Sequence, residues 1–152
     1  MQLLCLGLNH KTAPLAVRER VAFGPEDTGE TVALIKTRLA SADDGGVTEA
    51  MILSTCNRTE IYCAAVDPKR AADSVLELIE ELKGVRTTDL QPHVYVYEQS
   101  EAARHVFRVV SGIDSMVLGE TQIVGQFKKA VATARDVKGL GLMLNHLFQD
   151  AF

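Results

Sequence analysis

No apolar run in this 152-residue sequence approaches the roughly 20 residues that a helix needs to cross a bilayer. The N-terminus also has no basic stretch followed by an apolar segment and a small-residue cleavage site, the pattern of a secretory signal. The three cysteines, Cys5, Cys56 and Cys63, form neither a CxxC pair nor an even-numbered set, so they predict neither a disulfide framework nor a cysteine-only zinc site. These features favour a cytoplasmic protein with no membrane contact.

Cofactor and metal motifs are also missing. Neither GxGxxG nor GxxxxGK[ST] occurs, so no dinucleotide or nucleoside-triphosphate cradle is predicted. The four histidines show no HxH or HExxH spacing, and no metal site is predicted. The formal net charge of -4 disfavours coating of nucleic acid by bulk charge, although it is compatible with a local basic face. Redox chemistry would therefore need a cofactor domain that these residues do not supply.

Apolar periodicity and turn signals predict an α+β fold. Strands are predicted over 1–9, 47–53, 61–66 and 94–97, and helices follow Pro14, precede the Asp43-Asp44-Gly45-Gly46 turn and begin after the Asp67 cap. This β-α-β-β-α-β order is the ferredoxin-like, split βαβ order, with one mostly antiparallel sheet. Helices from residue 100 onward follow, so 1–99 are predicted to form a ferredoxin-like subdomain and 100–152 a helical part.

The first C-terminal helix carries two candidate lines of residues. Ala103, Val106, Phe107 and Val110 form an apolar stripe that is predicted to pack on the sheet. His105 lies on a second line, with Gly112 leaving space beside it. A lone histidine on a helix is more often a packing residue than a catalyst, so the pattern alone leaves both interpretations open.

The most polar connection is Ser54-Thr55-Cys56-Asn57-Arg58-Thr59-Glu60, between the second and third predicted strands. A cation two residues after a cysteine can stabilise the thiolate, which is the form that attacks carbonyl groups. The alternative interpretation is a polar hairpin turn with a small, unreactive cysteine.

Three segments together carry a resemblance: GLNHKTAP at 7–14, STCNRTE at 54–60 and SGIDSMVLGETQI at 111–123, with His105 ahead of the last. The chain resembles the N-terminal catalytic domain of glutamyl-tRNA reductase over essentially its whole length. The resemblance implies that the family's NADPH-binding Rossmann domain and helical dimerisation domain lie outside this chain. It also implies that residues 100–152 complete the glutamate pocket and begin the long spinal helix.

The resemblance further implies a mechanism. The Cys56 thiolate attacks the aminoacyl ester of glutamyl-tRNA and leaves a glutamyl thioester. NADPH, bound elsewhere in the full-length protein, then reduces the thioester to glutamate-1-semialdehyde, the precursor of 5-aminolevulinate and of porphyrins and other tetrapyrroles. The implied partners are glutamyl-tRNA, a second copy in a homodimer, and glutamate-1-semialdehyde aminomutase.

Site residues are implied in the same way. His105 is the second catalytic residue, acting near the carbonyl or in proton transfer, and Arg58 holds the glutamate carboxylate. Further substrate-binding residues are Thr55, Ser115, Glu120, Gln122, Asn9 and Thr12. Cations implied to meet tRNA phosphates are Lys11, Lys128, Lys129, Arg135 and Lys138, although a solvated helix face explains the last four equally well.

Two other functions stay open at this point. A ferredoxin-like binding or regulatory module without chemistry of its own fits the same element order. A cysteine-dependent ester hydrolase using Cys56 and His105 would turn over without a nicotinamide cofactor. The module predicts that Cys56 is no more reactive than Cys5 or Cys63.

Overall fold

The computed structural model describes residues 1–114 and 122–152, which form four strands and seven α-helices. The strands are β1 (Gln2–Asn9), β2 (Val47–Ser54), β3 (Arg58–Ala65) and β4 (Tyr95–Glu98). The helices are α1 (Leu15–Val21), α2 (Pro25–Arg38), α3 (Pro68–Lys83), α4 (Thr87–Leu90), α5 (Ser100–Val110), α6 (Gln122–Asp136) and α7 (Leu142–Ala151). The predicted mixed fold, with a β-α-β-β-α-β order followed by helices, is confirmed.

The strands form one antiparallel sheet in the order β2-β3-β1-β4. Its register pairs Cys5, Gly7 and Asn9 of β1 with Tyr62, Glu60 and Arg58 of β3. Because side chains alternate between the faces of a sheet, the polar residues of β3 share one face. Arg58, Glu60 and Tyr62 of β3 therefore lie on the same face of the sheet, next to β1.

Helices cover both faces of this sheet. On one face, Val21 of α1 and Leu76 and Ile79 of α3 lie against Leu6 and Ile61 of the central strands. On the other face, Tyr62 of β3 packs against the rings of Phe127 in α6 and Phe148 in α7, with ring centroids 5.8 and 5.9 Å apart. Side chains from 1–99 and 100–152 belong to one hydrophobic cluster, so the C-terminal helices complete the core of the sheet.

The stripe predicted on α5 is partly wrong. The buried residues of this helix are Ala102, His105, Val106, Val109 and Val110, whereas the side chain of Phe107 is 44% exposed. The helix is therefore rotated so that His105 faces the sheet. Apolar residues lie on both sides of the helix, and on the buried side His105 contacts Glu60 of β3.

Glu49 is a buried carboxylate that fixes α7 to the sheet. Its two oxygens accept hydrogen bonds from the backbone N–H groups of Gly141 (2.6 Å), Met143 (3.2 Å) and Leu144 (2.9 Å). These are N–H groups that the first turn of a helix leaves unpaired, and a negative charge is favourable there. No local pattern indicates this role for Glu49, because its partners are more than 90 residues away along the chain.

The longest apolar stretches of the described helices are too short or too polar to span a membrane.

Gly7 is needed where β1 passes Glu60. A Cβ atom at this position would lie 2.5 Å from the carbonyl oxygen of Thr59 and 2.8 Å from Cγ of Glu60. We expect Gly7→Ala to lower the free energy of unfolding by about 1–3 kcal/mol, because the strands must separate. Denaturant titration measures this change.

Gly125→Ala is the matched control, because Gly125 lies within α6 and the added Cβ would meet no described atom within 4 Å beyond its chain neighbours and the adjacent helix backbone. We expect this change to raise the free energy of unfolding by about 0.5–1 kcal/mol. Equal stability of the Gly7→Ala protein and the parent would contradict the close approach.

Candidate active site

Cys56 occupies the tip of a tight turn between β2 and β3. The Thr55 hydroxyl accepts hydrogen bonds from the backbone N–H groups of Asn57 and Arg58, both at 3.2 Å, and the Thr55 N–H donates to the Arg58 carbonyl at 2.8 Å. Thr55 therefore closes the turn, and the turn leaves Cys56 exposed, whereas Arg58 points into the interior and is 2% exposed.

The loop after β1 and the following helix α1 support this turn from the side. His10 donates its backbone N–H to the Asn57 carbonyl at 2.9 Å, and Nε of Arg18 donates to the Cys56 carbonyl at 3.3 Å. Within the same loop, Asn9 Oδ1 accepts from the Lys11 N–H at 2.9 Å, and the Asn9 N–H donates to the Thr12 hydroxyl at 3.0 Å. Asn9 and Thr12, two predicted substrate ligands, thus shape the loop that holds the Cys56 turn.

Glu60 is the centre of a buried polar network. Its carboxylate accepts hydrogen bonds from the hydroxyls of Tyr62 (2.8 Å) and Tyr95 (2.6 Å). The carboxylate also contacts Nε2 of His105 and lies 3.4 Å from Nη1 of Arg58. A fully buried carboxylate is costly unless it is paired and hydrogen-bonded, and here four side chains from three elements supply the partners.

The network keeps Glu60 ionised. Burial raises the pKa of its carboxyl, but the hydrogen bond and charge of His105, followed by the charge of Arg58, lower the pKa below its usual value. Burial and the charge of Glu60 raise the pKa of Tyr95, which stays a protonated donor. Burial lowers the pKa of Arg58, but Glu60 and its neighbours raise it by more, so the guanidinium keeps its charge.

Asp114 connects the network to the loop after β1. Its carbonyl oxygen accepts a 2.7 Å hydrogen bond from Nη2 of Arg58, and its Oδ1 lies 3.3 Å from Nζ of Lys11. Its Oδ2 lies 3.9 Å from Nδ1 of His105. Arg58 is therefore held between Glu60 and Asp114. Glu60 follows Arg58 by two residues on the same strand, whereas Asp114 is 56 residues away along the chain and reaches Arg58 only through the fold.

Within the described part of the chain, one group has the side-chain types and spacing of a metal site. The donor atoms of Cys5, Glu60 and His105 lie within 4.8 Å of one another, and all three residues are buried. Burial and the charge of Glu60 raise the pKa of the Cys5 thiol well above its usual value, whereas a metal requires the thiolate. With the Cys5 thiol protonated, these three side chains are suited to hydrogen bonding with one another. The absence of a metal stays a prediction.

A pocket of about 40 Å³ adjoins the nucleophile candidate. It is lined by Thr55, Cys56, Asn57 and Arg58 from the turn and by Gln122, Ile123 and Gln126 from the start of α6.

Of the predicted site residues, the structure brings Cys56, Arg58, Thr55 and Gln122 together in this pocket. His105 contacts Glu60, which in turn contacts Arg58 of the pocket. Asn9 and Thr12 lie in the adjoining loop. Ser115 and Glu120 lie outside the described residues. The amide of Gln126 lies one helical turn beyond Gln122, and this spacing was the signal available for it in the sequence.

This geometry defines a class of protein: an α+β domain that presents an exposed cysteine beside a buried arginine–glutamate–histidine network. The profile of the family described as "Glutamyl-tRNAGlu reductase, N-terminal domain" matches residues 6–152, and the chain belongs to this family. The resemblance inferred from the three motifs is confirmed.

A solved structure, glutamyl-tRNA reductase from Methanopyrus kandleri, is similar to this chain with a TM-score of 0.74 and 30% sequence identity. The match covers 98% of this chain and 32% of the solved one. The chain therefore spans about a third of the length of that reductase.

The three cysteines should differ sharply in reactivity. Cys56 is exposed, whereas Cys5 and Cys63 are fully buried, and burial raises the pKa of Cys63 to about 12. We expect a maleimide to modify the folded protein rapidly at Cys56 alone, as measured by intact-protein mass spectrometry and peptide mapping. Cys56→Ser should remove the rapid reaction and Cys63→Ser should retain it. Modification of a buried cysteine at a comparable rate would contradict the assignment.

The Glu60 network should stabilise the fold in a pH-dependent manner. Because Glu60 has a lowered pKa when folded, its contribution is present above the unfolded value of about 4.3 and is lost as the pH falls toward the folded pKa. At neutral pH, Glu60→Gln leaves Arg58 as a buried charge without its counter-ion, and we expect a loss of about 3–5 kcal/mol in unfolding free energy.

The difference between the parent and Glu60→Gln should shrink below about pH 4. Glu81→Gln is the control, because Glu81 and Arg38 form an exposed pair at 2.7 Å and the change should have little effect. A Glu60→Gln effect that is independent of pH would rule out an ionised Glu60.

Proposed function

We propose that this chain is the acyl-transfer domain of a glutamyl-tRNA reductase and that Cys56 is its nucleophile. The observation that carries the proposal is the placement of Cys56. It is an exposed thiol that shares a pocket with Arg58 and the Gln122 amide. Family membership supports the reaction class, and the raised pKa values of the two buried thiols argue against either of them as the nucleophile.

In the proposed reaction, the Cys56 thiolate attacks the carbonyl carbon of the ester between glutamate and the terminal ribose of its tRNA. A carbon–sulfur bond forms, and the carbonyl electrons move to oxygen. The tetrahedral oxyanion then collapses, the carbon–oxygen ester bond breaks, and the ribose oxygen leaves with the electron pair and takes up a proton. The products are free tRNA and a glutamyl thioester on Cys56.

Arg58 is proposed to select the acidic amino acid. A guanidinium offers five N–H donors, and Glu60 and the Asp114 carbonyl are its two acceptors among the described residues. The remaining donors suit bidentate binding of a carboxylate. Glu60 and Asp114 fix the plane of the guanidinium, which limits the entropy lost when substrate binds.

His105 is proposed to act through Glu60. Its Nε2 contacts the Glu60 carboxylate and its Nδ1 faces Asp114, so both ring nitrogens lie next to groups that hold Arg58. This is a positioning role, in place of the direct action near the carbonyl that the resemblance implies. Ser115 and Glu120 stay proposed substrate ligands on the basis of the resemblance.

Reduction of the thioester is proposed for the whole protein, with NADPH as the hydride donor. Among the described helices, the N-termini of α2, α3 and α7 do not fit a pyrophosphate group. Carboxylates already lie at the starts of α2 (Glu26 and Asp27), α3 (Asp67) and α7 (Glu49). No reductive step is therefore assigned to these residues.

A homodimer, transfer of glutamate-1-semialdehyde to its aminomutase and a cytoplasmic location complete the proposal for the full-length reductase in tetrapyrrole synthesis.

The test is incubation with glutamyl-tRNA followed by rapid quenching and intact-protein mass spectrometry. We expect a single glutamyl adduct on the parent, on Cys5→Ser and on Cys63→Ser, and none on Cys56→Ser. Loss of the adduct after mild hydroxylamine treatment would identify a thioester.

Three outcomes are distinguishable. A binding module would form no adduct with any of the proteins. An ester hydrolase would release glutamate over many turnovers. An adduct on the Cys56→Ser protein of equal yield would assign the nucleophile elsewhere.

A further inference from the structure

His10 carries an imidazole beside the Cys56 turn, and the reaction described above gives it no role. The paired residues of β1 and β3 end at Asn9 and Arg58. The 2.9 Å hydrogen bond from the His10 N–H to the Asn57 carbonyl extends this contact by one residue. His10 therefore lies across from Asn57, which directly follows Cys56. Side chains on neighbouring antiparallel strands are within reach of one another at this spacing, aromatic rings included.

The ring of His10 has an unpaired nitrogen. Its Nδ1 is buried and makes no hydrogen bond within the described part of the chain. By contrast, Nδ1 of His93 lies 3.0 Å from the Thr12 carbonyl, and the ring of His105 contacts Glu60. A buried polar atom without a partner is costly and uncommon, and this one belongs to the residue next to the candidate nucleophile turn.

We propose that His10 carries the proton of the acyl transfer. The inference rests on the proposed function, in which the thiol must lose a proton and the departing ribose oxygen must gain one. As the bond between sulfur and the carbonyl carbon forms, His10 accepts the proton of the Cys56 thiol. As the carbon–oxygen ester bond breaks, the imidazolium gives this proton to the ribose oxygen. The imidazole is neutral again at the end of the step, so no other proton donor is required.

The charges around His10 favour this cycle. Three cations of the described residues act on the ring: Arg58 of β3, Lys11 of the same loop and Arg18 of α1. Burial, followed by these three charges, lowers the pKa of His10, and the charge of Asp114, in the segment after α5, opposes them with a smaller effect. The ring is therefore neutral at pH 7 and can accept a proton. Once protonated, it is a further cation beside three others and readily gives the proton up.

His105 is less suited to this task. It is 3% exposed, its Nε2 contacts the Glu60 carboxylate and its Nδ1 faces Asp114. His10 is half-buried in a loop beside the exposed thiol, so it is the more accessible of the two rings for the reacting groups. The two histidines thus have different tasks: His105 positions Arg58 through Glu60, and His10 exchanges a proton with the thiol and the ribose oxygen.

The experiment measures the rate of glutamyl adduct formation from glutamyl-tRNA in a single turnover, by rapid quenching and intact-protein mass spectrometry, between about pH 5 and pH 9. In the parent, deprotonation of His10 supplies the base. The rate should therefore rise with pH through a value below 6.5, the usual pKa of histidine, and level off above it.

His10→Gln keeps a polar side chain but cannot exchange a proton. We expect its rate to fall at least about tenfold near neutral pH, within the usual range for loss of a general base. Its rate should keep rising toward about pH 8.5, where a free thiol ionises without a base, so its difference from the parent should shrink there. His10→Ala should show the same loss, and imidazole added in solution should restore part of its rate.

His93→Gln is the matched control. His93 also contacts the loop after β1, through the Thr12 carbonyl, and this change should leave the shape of the parent's pH profile unaltered. Circular dichroism verifies that each variant is folded.

The outcomes separate the two proposals. Failure of the parent to form an adduct at any pH would contradict Cys56 as the nucleophile. A parent that forms the adduct at a rate still rising above about pH 7.5 would keep the nucleophile and overturn His10 as its base. His10 would also be overturned if the folded His10→Gln protein is slower by the same factor at every pH, because a purely structural loss leaves the shape of the profile unchanged.

Discussion

The buried charge of Glu60 is the constraint on which much of this structure depends. A carboxylate at 0% exposure inside a sheet is tolerated only with several close partners, and these come from β3, β4 and α5. His105 of α5 and the hydroxyl of Tyr95 on edge strand β4 both contact the Glu60 carboxylate. Gly7 of β1 lies between Tyr95 and Glu60, and a side chain there would collide with Glu60. The contacts of Glu60 therefore join β3, β4 and α5 and also hold the Arg58 side chain in place.

The same constraint separates the roles of the polar residues. Arg58 and His105 both contact the buried Glu60, and Arg58 also lines the Cys56 pocket, whereas Cys56 itself is exposed at a turn that Thr55 closes. A buried cation next to an exposed thiol suits the binding of the acidic acyl group that we propose as substrate. Asp114 contacts both Arg58 and Lys11, and it therefore links this centre to the loop after β1.

A second buried carboxylate, Glu49, has a comparable effect at the edge of the sheet. It occupies the N-terminus of α7, and the nearby Gly139 carbonyl accepts the Ala50 N–H at 2.8 Å, which pairs part of the β2 edge. Strand β2 leads directly to the Cys56 turn. Strand β2 therefore contacts the N-terminus of α7 through Glu49 and leads, at its end, into the turn that carries Cys56.

Local sequence determined the elements and their order, because apolar periodicity, the Asp67 cap and the Gly84 terminus act over a few residues. Motif resemblance identified the family, and the polar turn singled out Cys56 as the candidate nucleophile. The contacts of Asp114 with Arg58 and of His105 with Glu60, the buried face of α5 and the role of Glu49 could not be predicted. Glu60 lies 45 residues from His105 and Glu49 lies 92 residues from Gly141, and no local pattern records such pairs. Only tertiary packing decides them, because the cost of burying each charge is met by groups that are distant in sequence.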